Sequence, residues 1–247
     1  MSTTRTSTTE WLYTQMLARI QAGDWPVGSS IPSERTLMEE FGVSRVPLRE
    51  SLSMLRALGV LDIGHGRCAV VRRIDAGVLG HLFPLMLSME GQQTFQQVFE
   101  VRLALEFRTA YLAALRRTED DMRRIELLLA QFREQVESGS PDAIDTDLEF
   151  HVQIAAAAKN PLFPLLLRSL AGFVKYVARE SCRGDLVRLR RAVQAHESIT
   201  EAIRWKDAER ARVEMEAHLH YSANRIIRES LANEPSAESV PCRIRAI

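Results

Sequence analysis

Hydrophobic residues recur every three or four positions along most of this 247-residue chain, a spacing that predicts amphipathic α-helices. The first hydrophobic stripe contains Leu12, Met16 and Ile20 and ends before Gly23. Only the stretch between residues 60 and 72 has the apolar runs joined by glycines that are typical of two short strands. The pattern therefore predicts a mainly α protein with one small β-hairpin.

The first third of the chain has the element order of a winged helix-turn-helix domain. A short helix is predicted over residues 34–40 with Ser33 as its N-cap, and Ser44 is predicted to cap a second helix. Two β-like runs follow, Val60–Ile63 and Ala69–Arg72, with a turn flanked by glycines between them. Together with the first helix, these elements predict three helices followed by a wing hairpin.

The rest of the chain has a helical pattern and no further strand signal. The predicted helices cover residues 76–89, 94–115, 119–137, 141–159, 162–181, 186–205 and 207–231. Helices of this total length can bury their own core, so we expect an independent all-α bundle of six or seven helices. The predicted domains are a winged helix-turn-helix domain over 1–73, an all-helical effector-binding and dimerisation domain over 74–232, and a polar tail over 233–247.

The charge balance disfavours a protein that packages nucleic acid without sequence preference. The chain has 32 basic and 32 acidic side chains, and residues 1–74 contain nine arginines against seven Asp and Glu. Non-specific DNA binding depends on an excess of positive charge. If the N-terminal domain binds DNA, a few well-placed arginines must make the contacts.

Cysteine spacing and hydropathy bear on the compartment. Cys68, Cys182 and Cys242 have no C-x-x-C spacing, which excludes a cysteine-based zinc finger and fits a reducing compartment. No apolar segment follows the N-terminal residues MSTTRTSTTE, and the most apolar windows are too short to span a bilayer. We expect a soluble cytoplasmic protein that does not bind a membrane.

The helix that begins at Ser44 is the predicted recognition helix, because the second helix of the turn motif presents its N-terminal residues to base edges. Arg45 and Arg49 share one face of it, and arginine can bind guanine through two parallel hydrogen bonds. Arg35 is placed for a phosphate. Any one of these arginines could be an ordinary solvated side chain, but their ordered positions favour DNA binding. The predicted DNA-binding residues are Arg35, Ser44, Arg45, Arg49, His65, Gly66 and Arg67.

Residues 10–73 resemble the DNA-binding domain of the GntR family of bacterial repressors. The motifs that carry the resemblance are GSSIPSER, FGVSRVPLRESL, LRALGVL and HGR. The resemblance implies a winged-helix homodimer on a short palindromic operator. It also implies DNA contacts at Arg35, Arg45, Arg49 and Gly66. Cys68 departs from the family, which usually has a second wing glycine there.

Three histidines lie in the apolar stripes of three separate predicted helices. They are His151, His196 and His218, and Asp147 lies one turn before His151 on the same side. A single histidine in such a stripe is more often a core residue than a ligand. Three of them with a carboxylate are the ligand types that Zn, Ni, Mn or Fe prefer. The sequence predicts a divalent transition metal, zinc or nickel, at these four residues.

Arg102 interrupts the apolar stripe of the helix predicted over 94–115. A buried guanidinium needs a carboxylate partner. One candidate is Glu106, one turn further along the helix. The other is the carboxylate of a ligand bound beside the metal. The residues alone leave both alternatives open.

A second resemblance covers roughly residues 94–224. The segments VFEVRLALE, DLEFHVQIAAAAKNPLF and AHESITEAIRWKDAERARVEMEAHL are similar to the FCD effector-binding domain of the FadR subgroup. Metal-binding members have one Asp and three His ligands, and the motifs carry these over to Asp147, His151, His196 and His218. The resemblance implies that small carboxylates bind at the metal with help from Arg102. It argues against the acyl-CoA-binding type, which lacks the ligand set.

Together these observations predict a metabolite-responsive bacterial transcriptional regulator, a repressor that binds double-stranded DNA as a homodimer. Its effector would be a small carboxylate, namely a sugar acid, a hydroxy acid or a dicarboxylate. The alternative is a metalloenzyme that acts on a carboxylate and has an accessory DNA-binding domain. We expect no catalytic residues, because no spare general base has a motif around it.

Overall fold

The computed structural model describes residues 7–64, 68–73, 80, 94–181 and 186–232. Within these residues the chain forms nine helices and one two-stranded hairpin, so the protein is mainly α, as predicted. The chain divides into two units, Met1–Leu79 and Gly80–Ile247. None of the described helices is long and apolar enough to cross a membrane.

The first unit contains three helices and the hairpin in the predicted order. The elements are α1 (Thr8–Ala22), α2 (Glu34–Phe41), α3 (Arg45–Ala57), β1 (Leu61–Asp62) and β2 (Val70–Val71). Their apolar faces form one core, in which Leu12, Met16, Leu48 and Leu55 are fully buried. The predicted wing residues His65, Gly66 and Arg67 lie outside the described residues.

Two serines begin the helices of the turn motif, and they do so in different ways. Ser33 precedes α2, and its hydroxyl accepts a hydrogen bond from the backbone N–H of Thr36, as expected of an N-cap. Ser44 has the extended backbone of an N-cap before α3, but its side chain makes no capping hydrogen bond. Both helices begin where predicted, but the predicted capping is confirmed for Ser33 and wrong for the side chain of Ser44.

The hairpin is shorter than predicted and pairs with a segment that the sequence pattern did not indicate. Leu61 pairs with Val71 in an antiparallel register. On its other edge β2 forms a bridge to Ser30, where the N–H of Val71 donates to the carbonyl of Ser29 over 2.9 Å. The residues before α2 have the composition of a turn, so their pairing was missed.

All the secondary-structure elements in the described part of the second unit are helices. They are α4 (Thr94–Arg116), α5 (Glu119–Ser138), α6 (Ala143–Ala157), α7 (Leu162–Ser181), α8 (Leu186–Arg204) and α9 (Ala208–Ala232). Helix α4 packs along α9, and α6 packs against α4, α5 and α7. Small and branched residues fill the centre, including Ala113, Ile125, Ile154 and Ile199. The helix predicted over 76–89, apart from residue 80, and the tail predicted over 233–247 lie outside the described residues.

Candidate metal centre

Three helices of the second unit bring the four predicted metal ligands together. Each of Asp147, His151, His196 and His218 offers one ligand atom, and these atoms all lie within 4.8 Å of one another. Asp147 and His151 come from α6, His196 from α8 and His218 from α9. The three histidines are buried, with relative exposures of 3%, 0% and 8% in chain order. The apolar stripes therefore correctly predicted that all three imidazoles are buried.

Local packing holds the His196 imidazole in place. Its ring stacks on that of Phe150, with ring centroids 4.1 Å apart. The ring centroid of Phe132 lies 5.1 Å from that of His196. Both phenylalanines are fully buried, so the imidazole has little room to rotate. Asp147 and His151 share one face of α6 because they are four residues apart.

The distances within the cluster fit a metal ion. Nε2 of His196 lies 3.3 Å from Nε2 of His218 and 3.4 Å from Oδ1 of Asp147. An ion about 2.0–2.1 Å from each of two ligands separates them by about 2.8–3.4 Å at angles of roughly 90–110°. Nitrogen and carboxylate donors at these distances suit a divalent transition metal.

Protonation also favours coordination by the histidines. Burial lowers the pKa of His218 to about 3, and it lowers the pKa of His196 well below the usual 6.5. Both imidazoles are therefore neutral near pH 7, as a metal ligand must be. Burial raises the pKa of Asp147, while its interactions with the His151, Arg102 and Arg188 side chains act in the opposite direction.

Glu106 connects the cluster to Arg102. Its Oε2 lies 2.5 Å from Nδ1 of His151, and its Oε1 accepts a hydrogen bond of 2.6 Å from Nε of Arg102. Glu106 is fully buried. Burial alone would raise its pKa, but the interactions with Arg102 and His151 more than offset this and lower the pKa to about 2. The carboxylate is therefore ionised at neutral pH. One of its oxygens contacts His151, and the other contacts Arg102.

A cavity of about 180 Å³ opens beside the cluster. Asp147, His151 and His218 form part of its wall, and Arg102 lines it as well. This volume is below the approximately 300–1,000 Å³ of pockets for drug-sized ligands, so it fits a small metabolite. Of the two alternatives for Arg102, the ion pair with Glu106 is present, while a contact with a ligand remains a prediction.

The predicted DNA-binding side chains of α2 and α3 lie on the surface of the first unit. Ser44, Arg45 and Arg49 are all exposed. Nε of Arg49 contacts Oε2 of Glu34 at 3.1 Å, and the arginine side chain keeps 63% of its surface exposed. Arg35 forms an exposed pair with Glu39 at 2.8 Å. Pairs this exposed are weak, so both arginines can exchange their partners for phosphates or bases.

Comparison with known families matches both halves of the chain. Residues 8–71 match the bacterial regulatory proteins of the gntR family, and residues 97–221 match the FCD domain. The chain belongs to the GntR family. The resemblances to the GntR family and to the FCD domain are thereby confirmed.

Relatives of this GntR-family chain are named as transcriptional regulators. It is 29% identical to the HTH-type transcriptional regulator LutR of Bacillus subtilis, over 81% of this chain and 92% of that protein. It is 32% identical to the putative L-lactate dehydrogenase operon regulatory protein of Escherichia coli, over 83% of this chain and 80% of that one. Among solved structures, Streptococcus agalactiae GntR superposes with a TM-score of 0.70 at 25% identity, covering 87% of this chain and 99% of that one.

The family membership decides the general function. A gntR helix-turn-helix domain joined to an FCD domain makes this chain a DNA-binding transcriptional regulator rather than an enzyme. The winged-helix and bundle architecture predicted from the pattern of apolar residues is the architecture of this family.

Sequence reasoning missed several residues of this GntR-family site. Glu106 was considered only as a partner of Arg102, although its position in the same buried stripe also brings it to His151. Arg188 and Arg191 line the cavity from α8, but no motif marks them. Arg188 is eight residues before His196, a spacing that keeps two residues near one face of a helix, and this signal could have revealed it.

Proposed function

We propose that this GntR-family chain is a metal-assisted repressor that leaves its operator when a small carboxylate binds. The observation that carries the proposal is the convergence of Asp147, His151, His196 and His218 beside a small cavity lined by Arg102. Anionic metabolites are bound well where a cation and an arginine face the same space.

The four clustered side chains would hold a divalent ion, zinc or nickel. His196 and His218 supply neutral imidazoles, and their Nε2 atoms face each other within the cluster. Glu106 holds His151 through Nδ1, which leaves Nε2 of that ring for the ion. When bound, such an ion supplies a positive charge that a carboxylate oxygen can coordinate.

The effector would be a small carboxylate, within the class of sugar acids, hydroxy acids and dicarboxylates. The size of the cavity and the presence of Arg102 in its wall support this class. The name of the relative from Escherichia coli refers to an L-lactate dehydrogenase operon, which is consistent with a hydroxy acid. Arg102 would orient the carboxylate, and Glu106 would hold Arg102.

DNA would be bound by the first domain, for which we propose the bounds 1–73. Helix α3 would enter the major groove with Ser44, Arg45 and Arg49 at the bases, while Arg35 contacts a phosphate. The wing residues His65, Gly66 and Arg67 would reach the minor groove or the backbone. As a DNA-binding regulator of bacterial type, the protein would act in the cytoplasm.

Two copies of the chain would bind the two halves of a palindromic operator. In each copy, residues 74–232 would form the effector-binding and dimerisation domain, and residues 233–247 would form a polar tail. Operator symmetry mirrors protein symmetry in helix-turn-helix dimers. The effector can release DNA only if it binds the DNA-competent and the DNA-incompetent states unequally. Its affinity for the protein must therefore fall when operator DNA is present.

Metal content measured beside DNA binding tests the proposal. We expect His196→Ala to lose the ion and its response to carboxylates, while operator binding without effector persists. His220→Ala is the matched control, because His220 is exposed and lies outside the cluster. Full metal occupancy in His196→Ala would overturn the ligand assignment.

The operator itself can be found by selecting genomic fragments that bind the purified protein. A palindrome shared by the bound fragments is the expected result. Diffuse, salt-sensitive binding with no common sequence would contradict a site-specific repressor.

A further inference from the structure

A hydrophobic side chain lies on the outward face of the predicted recognition helix. Val46 follows Arg45, the first residue of α3, and 67% of its surface is exposed. This is the highest exposure among the large hydrophobic side chains described in the first unit. The core contacts of α3 come instead from Leu48, Leu52 and Leu55. Val46 therefore contributes little to the core of the domain.

Helical geometry places Val46 opposite the buried face of α3. Successive residues of an α-helix are rotated by about 100°, so Val46 lies about 120–180° from the three buried leucines. Arg49, three residues further along, lies only about 60° from Val46 around the helix axis. Glu50 lies on the same side, but its Oε2 accepts a hydrogen bond of 2.7 Å from Oγ1 of Thr9, which ties this carboxylate to α1. Val46 and Arg49 therefore belong to one exposed surface.

Neither packing nor helix propensity explains a valine at position 46. Valine is a weaker helix former than alanine, leucine or arginine. Its β-branched side chain does have one property that suits recognition, because it has a single strongly preferred χ1 rotamer in a helix. The two methyl groups of Val46 are therefore held in one direction, and a partner that contacts them restricts little further motion. Such a side chain suits contact with an apolar group on a binding partner.

The major groove of DNA offers one apolar group that matches this valine. Thymine presents a C5-methyl group there, whereas the other base edges are distinguished by their hydrogen-bond donors and acceptors. A valine side chain has no polar atom and cannot bind those donors or acceptors. The neighbouring Arg45 and Arg49 are exposed, and their positive charges favour the approach of the phosphate backbone. The methyl group of thymine is therefore the part of the groove that fits Val46.

We propose that Val46 determines part of the operator sequence by packing against the C5-methyl group of one thymine in each half-site. Because Val46 lies within one helical turn of Arg45 and Arg49, this thymine lies beside the base pairs that these arginines contact. The proposal rests on the proposed placement of α3 in the major groove. It adds to that placement a residue that reads a base without a hydrogen bond.

Replacing thymine by uracil tests the contact, because uracil lacks only the C5-methyl group. The probe is the palindrome that the full-length protein selects from random double-stranded DNA, with deoxyuridine at one thymine position at a time. We expect uracil at one thymine of a half-site to weaken binding about fourfold, the effect of losing one buried methyl group. Wild-type affinity for every uracil probe would overturn the proposal.

Val46→Ala tests whether this valine contacts the methyl group. The variant should fold, because position 46 is exposed and alanine is the stronger helix former. We expect it to distinguish the thymine and uracil probes by less than about twofold at the position where the wild type distinguishes them about fourfold. Selection by the variant should keep the guanines and lose the preference for that thymine. An undiminished loss at the same thymine would show that another residue contacts the methyl group.

Val27→Ala is the matched control. Val27 is 60% exposed and lies outside α3, so this variant should keep the wild-type preference for thymine. Loss of that preference in Val27→Ala would contradict a specific role for Val46. Thermal unfolding followed by circular dichroism shows whether each variant is folded.

The outcomes separate this proposal from the placement of α3. If Arg49→Ala loses selectivity while every uracil probe binds normally, α3 remains the recognition helix and only the role of Val46 is wrong. If neither Arg49→Ala nor any uracil probe alters binding to the selected palindrome, both are wrong. If the protein selects no common sequence, the site-specific regulator and the role of Val46 fail together.

Discussion

Oε2 of Glu106 lies 2.5 Å from Nδ1 of His151 in the core of the helical unit. Both atoms are buried, and neither makes a hydrogen bond in the described structure, so their contact is an ion pair. Because the other oxygen of the carboxylate binds Arg102, one buried group orients both a candidate metal ligand and a cavity-lining arginine. Occupancy of the metal site and the position of Arg102 are therefore physically connected.

We predict that Glu106→Gln lowers metal affinity about 10–100-fold, the usual effect of losing the group that orients a metal-bound histidine. The variant also leaves Arg102 without a charged partner in the core, which should lower the free energy of unfolding by about 3–5 kcal/mol. Competition with a chelator measures the first effect, and urea unfolding measures the second.

Glu149→Gln provides the control for that prediction. Glu149 pairs with Arg168 on the surface, where the two side chains are 39% and 50% exposed. Removing this pair should change the free energy of unfolding by about 1 kcal/mol or less and leave metal affinity unaltered. Wild-type metal affinity in Glu106→Gln would show that the contact with His151 does not support coordination.

We predict that the metal-free protein loses stability as the pH falls below 6.5. Both His196 and His218 titrate near 6.5 in the unfolded chain, whereas burial lowers the pKa of His218 to about 3 and that of His196 well below 6.5 in the fold. Below pH 6.5 the unfolded state therefore binds more protons, and the free energy of unfolding falls by about 1.4 kcal/mol per pH unit for each proton.

Urea unfolding at pH 7, 6 and 5 in the presence of a chelator measures this dependence. His196→Phe should reduce the slope by about one proton, because phenylalanine cannot titrate. The carboxylate of Glu106 adds to the loss only at lower pH, as the pH falls from 4.5 towards its folded pKa of about 2. Identical slopes for the wild type and His196→Phe between pH 7 and 5 would contradict the prediction.

The two serines of the turn motif should differ in their effect on stability. Ser33→Ala removes a capping hydrogen bond to Thr36 and should lower the free energy of unfolding by about 0.5–2 kcal/mol. Ser44→Ala removes no such bond and should have a smaller effect. Chemical unfolding followed by circular dichroism compares them directly, and an equal loss in both variants would argue that Ser44 also caps its helix in solution.

Arg49→Ala should reduce discrimination between the operator and unrelated DNA without affecting the fold. Its pair with Glu34 is exposed, so losing it costs at most about 1 kcal/mol, whereas losing a bidentate contact to guanine costs about 1–3 kcal/mol of base discrimination. Footprinting at two salt concentrations is the measurement. Arg123→Ala, an exposed arginine of α5, controls for loss of charge. An unchanged footprint in Arg49→Ala would remove this residue from the recognition surface.

Local sequence signals were sufficient for the described helices and for the cluster of candidate ligands. Helical spacing located His151, His196 and His218 in buried stripes, and burial follows from such spacing whatever the packing of the helices. Ser33 was recognisable as a cap because a capping bond spans only three residues.

The features that were missed depend on contacts between segments far apart in sequence. Ser30 pairs with Val70 through backbone atoms, which leave no trace in the side-chain pattern. Arg188 reaches the cavity only because α8 packs beside α9 and α4, and helical spacing does not specify which helices become neighbours.

The ligand cluster draws its four members from residues spread between positions 147 and 218. An ion bound there would link α6, α8 and α9 as a cross-link does, closing loops of chain that are open in the unfolded state. A protease cut in the chain between His151 and His196 would then leave two fragments joined through the ion. Adding a chelator would remove this link and leave only helix packing to hold the fragments together, so the ion would act as a removable cross-link in the helical unit.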